Sequence, residues 1–471
     1  MGLAVGRKGS REAVVVLVPF PAQGHVTPMV HLAGALCRQG FRAVVALPES
    51  VLRRLPAGGS AASEVVFRYL PDGLPETGGA NFFAIDRALE ETVAPPFEAL
   101  LRTLDVAFVV FDMLASWAMA AADRCSVPAA GFWPGMLASY DLVCSAPELV
   151  RRGVLSSSGI PLAGAGGGSS TSTSISEGVP RLTTEDLPWL VGDLNSQMAR
   201  FAFWRRAINR WVPLRWLIAN TFSGDGLGGA DAAAGPRVFR VAPLAPAAAG
   251  GGASSFWEED SSCLRWLDAH PPASVVYVSF GSWVPPIGGD LIAELAQGLE
   301  AAGRPFLWVM GDAWRSGLPL GFLDRWSSSS SSSSGKVVKW APQMAVLRHG
   351  AVGCFLSHCG WNSTMEAIRC RTPLLCYPVT GDQPVNCRYI AEAWKIGVRL
   401  DSMRRPAVEE GLEAVMGPAG DGLRRRLAEM SEAIFGKDGQ ETAAKELMAF
   451  VEELLLYLLI RAARKLLSLS Q

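Results

Sequence analysis

Short apolar runs recur along this chain in two sets, and each set alternates with longer stretches of helical period. In the first half they fall at residues 14–18, 44–47 and 108–111. In the second half they fall at 275–280, 306–310, 337–340, 352–356 and 374–377. Runs of this length read as strands buried on both faces, the pattern of a parallel sheet covered by helices. Their alternation with helices through both halves predicts an α/β protein of two Rossmann-like, doubly wound domains. At 471 residues the chain is too long for one ordinary core, which agrees with such a division. A segment rich in Ala, Pro and Gly lies between the halves, so the expected first domain is 1–242, the linker 243–260 and the second domain 261–432.

Composition removes several function classes. Formal net charge is −1 with no long basic run, which leaves a nucleic-acid partner without electrostatic support. The nine cysteines are odd in number and form no CxxC pairs, which argues for reduced thiols and a cytoplasmic protein. The five histidines form no ligand cluster, and no metal is expected. The apolar run at 13–18 is too short for a signal peptide, and no 18-residue apolar stretch suggests an integral membrane segment. Residues 454–460, ended by Arg461, read as part of a packed amphipathic helix. The Gly/Ser/Thr-rich stretch 163–174 and the serine run 327–334 read as disordered surface loops. Glycines at 164 and 166–168 follow no strand and open no helix, so a nicotinamide-dependent oxidoreductase lacks its glycine fingerprint.

Two stretches carry chemistry. In the first, the apolar run 352–356 leads into Ser357-His358-Cys359-Gly360, and a helix is expected to begin around Asn362 or Ser363. Ser363 followed by Glu366 fits a capping box. A helix start directly after a strand presents free N–H groups and a positive dipole end, which suits a pyrophosphate. His358, Asn362 and Ser363 add donors, and Gly360 lets the backbone approach a ligand closely. In the second stretch, Pro19-Phe20-Pro21-Ala22-Gln23-Gly24-His25 follows the first strand, with Thr27 and Pro28 expected as N-cap and N1 of the next helix and Gly40 as its stop. His25 therefore sits at the carboxyl end of a strand, where open α/β sheets bind ligands. The helix dipole is expected to lower its pKa and favour a neutral, basic imidazole. Such a base needs a partner. Asp112 ends the run 108–111 and is the first choice over Asp86 and Asp105, with plain helix capping as its alternative role.

Residues 340–383, from Trp340-Ala341-Pro342-Gln343 through His-Cys-Gly-Trp-Asn-Ser to Asp382-Gln383, resemble the signature box of the plant family 1 UDP-dependent glycosyltransferases, and the 19–25 string resembles that family's opening motif. The likeness runs from about residue 13 to 394. It implies a GT-B fold whose two domains face a cleft. His25 would be the general base and Asp112 its partner. Trp340 would stack uracil beside Ala341 and Gln343, Glu366 would hold the ribose hydroxyls, and Trp361, Asp382 and Gln383 would contact the sugar. Ser282 matches a residue near the β-phosphate. Gln383 implies UDP-glucose as donor, the acceptor being a small apolar molecule with a hydroxyl. The segment 433–471 is expected to be helical and to pack back on the first domain, and the protein to be monomeric. No Asp-x-Asp motif occurs, so no metal cofactor is expected at the diphosphate. The chain departs from the family pattern at Arg371-Thr372-Pro373, where Gly-Val-Pro is common, and at Pro134 after Trp133. An Arg at a Gly position strains the backbone. These departures keep a non-catalytic UDP-sugar binder as the alternative to an inverting glycosyltransferase.

Overall fold

The computed structural model describes residues 12–52, 64–74, 81–162, 173–175, 180–225, 235–244, 257, 259–282, 284–326 and 333–469. The glycines at 164–168, most of the serine run and most of the 243–260 linker lie outside these residues. Two parallel sheets organise the chain. The first comprises β1 (Val14–Val18), β2 (Arg42–Pro48), β3 (Val66–Leu70), β4 (Val106–Asp112), β5 (Ala129–Trp133), β6 (Trp216–Ala219) and β7 (Arg237–Arg240). Its strands lie in the order β3-β2-β1-β4-β5-β6-β7. The second comprises β8 (Val275–Ser279), β9 (Phe306–Val309), β10 (Gly335–Val338), β11 (Val352–Ser357), β12 (Leu374–Cys376) and β13 (Gly397–Arg399), in the order β10-β9-β8-β11-β12-β13. This is the doubly wound α/β architecture expected from the apolar runs.

Each sheet is buried on both faces, so its alternate side chains fall into two cores. Val16, Val18, Val109 and Phe111 enter one core of the first sheet, while Val15, Leu17, Phe108 and Val110 enter the other. That second core also takes Phe450, Val451 and Leu454 from the helix Lys437–Leu469, whose Glu453 accepts the Trp216 indole N–H at 2.8 Å. Among the described residues no helix is long and apolar enough to cross a membrane.

Strand order reverses between β1 and β4 in the first sheet and between β8 and β11 in the second. At such a switch point the connections leave in opposite directions and open a crevice at the carboxyl ends of the strands. His25 and Asp112 follow β1 and end β4; Ser282 and His358 follow β8 and β11. The topology thus gathers residues far apart in sequence into two clusters. A further apolar cluster joins the halves, bringing Trp361, Val385 and Tyr389 against Met136, Leu142 and Trp189. Arg371 adopts φ +58° at the end of the Trp361–Cys370 helix, the strained conformation anticipated for a non-glycine residue there.

Candidate active site

The helix after β1 runs Gln23–Arg38 with Ala22 as its N-cap, so it starts earlier than the Thr27-Pro28 signal suggested, and Gly40 follows its end at φ +86°. His25 consequently lies in the first helical turn. Pro28 falls inside the helix and has no N–H to give the Gly24 carbonyl four residues back. Asn362 of the second half supplies the missing donor, its Nδ2 lying 2.6 Å from the Gly24 oxygen. The sequence cost of an internal proline thereby becomes a contact across the cleft, next to His25.

His25 Nδ1 lies 2.7 Å from Asp112 Oδ2. Asp112 is fully buried, and its other oxygen accepts the Leu114 N–H at 2.9 Å. The two roles considered for Asp112, cap and histidine partner, are therefore both present on one carboxylate. With Nδ1 donating to Asp112, Nε2 is left as the imidazole's proton acceptor. The competing Asp86 is engaged with Arg206 at 2.5 Å. Burial alone would lower the His25 pKa, but the charge of Asp112, its hydrogen bond and the charge of Asp382 raise it above the ordinary value. The helix-dipole expectation of a lowered pKa is thus corrected: a carboxylate in direct contact outweighs a partial charge at a helix end.

Across the cleft, the Trp361–Cys370 helix begins with Gly360 as N-cap, and no side chain caps it. The capping box expected from Ser363 and Glu366 does not form, because both residues lie inside the helix. Gln343 engages them instead: its Nε2 donates to Ser363 Oγ at 3.0 Å and to Glu366 Oε2 at 2.7 Å, while its Oε1 accepts the Tyr277 hydroxyl at 3.0 Å. The first N–H groups of the helix are thereby left for a ligand. His358 is held between two glycines. A Cβ at Gly360 would stand 2.4 Å from its Nε2, and one at Gly281 2.9 Å from it. Burial pushes the His358 pKa down to about 4, so the ring is neutral. A neutral imidazole still donates one N–H to an oxyanion.

The remaining expected residues line the same cavity of about 860 Å³, which runs from His25 to Trp340 and includes Ser282, Ala341, Asp382 and Gln383. Trp340 packs beside Trp257, ring centroids 5.8 Å apart. Trp361 donates its indole N–H to the Asn220 carbonyl at 2.7 Å and stacks on Phe222, so its ring pins the two halves together. Gln383 Oε1 accepts the N–H groups of Val379 and Thr380, both at 2.9 Å, which aims its amide N–H₂ as the remaining donor. Asp382 accepts from Asn386 at 2.9 Å, and burial raises its pKa.

Sequence reasoning passed over Tyr277, Arg369 and the aromatic wall of Phe20, Phe82 and Trp204, all of which line the cavity. Arg369 had a signal, since positions 362, 366 and 369 share one helical face. The wall had none, because its residues come from three distant segments. The cysteines, scattered along the sequence, partly converge in space: Cys359, Cys376 and Cys387 are buried with ligand atoms within 4.8 Å of one another. Three sulfurs are one ligand short of a structural zinc site.

A buried-acid-backed histidine facing an uncapped helix start suits transfer of a group from a phosphate-linked donor to a hydroxyl. Comparison with known proteins agrees. Residues 244–419 match the family described as UDP-glucoronosyl and UDP-glucosyl transferase. UDP-glycosyltransferase 82A1 of Arabidopsis thaliana is 44% identical over 442 residues, covering 89% of this chain and 94% of that protein. Linamarin synthase 1 of Manihot esculenta is 31% identical over 426 residues, covering 82% and 85%. Among solved structures, Os79 from O. sativa in complex with UDP aligns with a TM-score of 0.74 at 26% identity, covering 93% of this chain and 100% of that one. The chain belongs to the plant-type family 1 UDP-glycosyltransferases, with the GT-B fold. It transfers a sugar from a UDP-sugar to the hydroxyl of a small acceptor.

Proposed function

We propose that His25 is the general base of an inverting transfer. Its Nε2 takes the proton of the acceptor hydroxyl while Asp112 holds Nδ1 and stabilises the imidazolium that forms. The acceptor oxygen forms a bond to the anomeric carbon as the bond from that carbon to the diphosphate oxygen breaks. UDP leaves on the opposite face, so the configuration inverts. Charge growing on the diphosphate is met by the helix start at Trp361–Ser363, by the side chains of Asn362 and Ser363, and by His358 and Ser282. Trp340 and Ala341 bind the base, with Gln343 fixing the orientation of Glu366 toward the ribose; Trp361, Asp382 and Gln383 face the sugar. The observation that carries this reading is the 2.7 Å contact between His25 and buried Asp112 at a switch point.

The proposed donor is UDP-glucose, on the strength of Gln383 and the resemblance it carries. Catalysis is expected to survive dialysis against EDTA, since neutral His358 and backbone N–H groups stand where a cation would otherwise be needed. The cytoplasm is the proposed compartment, supported by nine unpaired cysteines. The proposed division into acceptor and donor domains falls within 243–260. Incubating the enzyme with UDP-glucose and a panel of neutral alcohols and phenols tests the reading directly. UDP release with product of inverted anomeric configuration is expected. Retained configuration would overturn the inverting mechanism, and UDP binding with no release across the panel would return the protein to the non-catalytic alternative.

A further inference from the structure

The helix Leu194–Trp211 carries four arginines, three of which are spent on partners. Arg206 pairs with Asp86 at 2.5 Å and with Glu90 at 3.1 Å, and Arg210 pairs with Glu90 at 2.8 Å. Arg205 donates to the Ser157 carbonyl at 3.2 Å. Arg200 differs. Its Nε is buried without a hydrogen-bond partner, and no acid among the described residues pairs with it. Its guanidinium carbon lies 5.5 Å from the ring centroids of both Phe82 and Phe83. The side chain lines the cavity on the His25 side, with Phe82, Trp204 and Trp133.

A partly desolvated guanidinium without an anion is costly, and contact with two aromatic rings offsets only part of that cost. Burial correspondingly depresses its pKa, with no opposing charge to restore it. The planar fork of an arginine matches a carboxylate with two parallel hydrogen bonds, and the match strengthens where water is excluded. Aromatic contacts set the spacing to the reacting end. His25 lies against Phe20 with centroids 5.5 Å apart, Phe20 against Phe82 at 5.9 Å, and Phe82 against Arg200. Two rings thus separate the proposed base from the free cation.

We propose that the acceptor site is built for a hydroxylated aromatic carboxylate, bound with its carboxylate on Arg200 and its hydroxyl at His25. The proposal rests on the base reading given above. The carboxylate is an anchor and not the nucleophile. The sugar goes to the hydroxyl oxygen as UDP leaves the anomeric carbon and the hydroxyl proton passes to His25, so the product is an O-glycoside (an acetal) and not a sugar ester.

The test uses 4′-(hydroxymethyl)biphenyl-4-carboxylic acid and its methyl ester as acceptors with the wild type, Arg200→Leu and Arg200→Lys. The wild type is expected to favour the acid over the ester at least tenfold in kcat/KM. Arg200→Leu should lose that preference through the KM of the acid, with the ester within twofold of wild type, and Arg200→Lys should retain part of it. The ester rate reports whether each variant is folded and competent. The sugar linkage in the product of the acid should resist mild alkali, which would cleave a sugar ester. A wild-type preference for the ester, an equal loss on both acceptors in Arg200→Leu, or an alkali-labile sugar linkage in the product of the acid would each overturn the proposal. Should neither acceptor release UDP, tryptophan quenching decides. Tenfold tighter binding of the acid, lost in Arg200→Leu, sustains the anion site while the base reading fails; equal binding of acid and ester overturns it.

Discussion

Asp112 divides its two oxygens between two tasks: one caps Leu114 and the other holds His25. Asparagine at this position can keep the cap but offers its N–H₂ to a ring nitrogen that is itself a donor. Asp112→Asn is therefore expected to lower kcat by about 10²–10⁴-fold, the range of general-base assistance, while changing the KM for UDP-sugar little. The pH profile separates this from mere disturbance. A base works when deprotonated, so activity falls as pH drops through the His25 pKa, which Asp112 holds above the ordinary histidine value. In Asp112→Asn the acid limb of kcat/KM should move to lower pH; an unmoved limb at unchanged rate would reduce Asp112 to a cap. His25 and Asp112 were both legible in the sequence because each follows an apolar strand directly. The direction of the His25 shift was not, since it depends on a contact between residues 87 positions apart.

Among elements, the Trp361–Cys370 helix shows where local signals stop. The strand and the helix after it were legible, but Ser363 and Glu366 satisfied a capping pattern that the fold spends otherwise. Gln343, from a separate helix, takes both side chains and leaves the helix start uncapped. Pro28 was misread in the same way. As a first-turn proline it would be ordinary; inside the Gln23–Arg38 helix it frees a carbonyl that only a residue over 300 positions away completes. Steric limits at the same helix start give a second test. Gly360 is needed because a Cβ would collide with His358. Gly360→Ala should displace the imidazole and raise the KM for UDP-sugar by about tenfold, equivalent to one lost hydrogen bond to a charged group, with circular dichroism unchanged. Unaltered donor affinity, read by titration with UDP, would remove His358 from the diphosphate site.

At the scale of the whole molecule, two parallel sheets were legible from apolar runs, whereas the edge strands of the first sheet, β3 and β7, were not. β3 and β7 are partly exposed and carry arginines, so they lack the continuous apolar run that marks β1 or β8. The helix Lys437–Leu469 closes the chain onto the first sheet through Phe450, which is fully buried against Phe108 and Phe239. Phe450→Ala should cost about 3–5 kcal/mol, the range for a core phenylalanine, and chemical denaturation would read it as a lowered midpoint. A midpoint unchanged would mean that the helix is not part of the first core. Both halves converge on one claim, that a histidine of the first activates the acceptor for a donor held by the second. The most direct measurement is the single-turnover rate of His25→Ala on a weakly acidic alcohol, with UDP affinity measured on the same sample. Transfer is expected to be abolished while UDP binds as in wild type; transfer within a few-fold of wild type would remove His25 as the base.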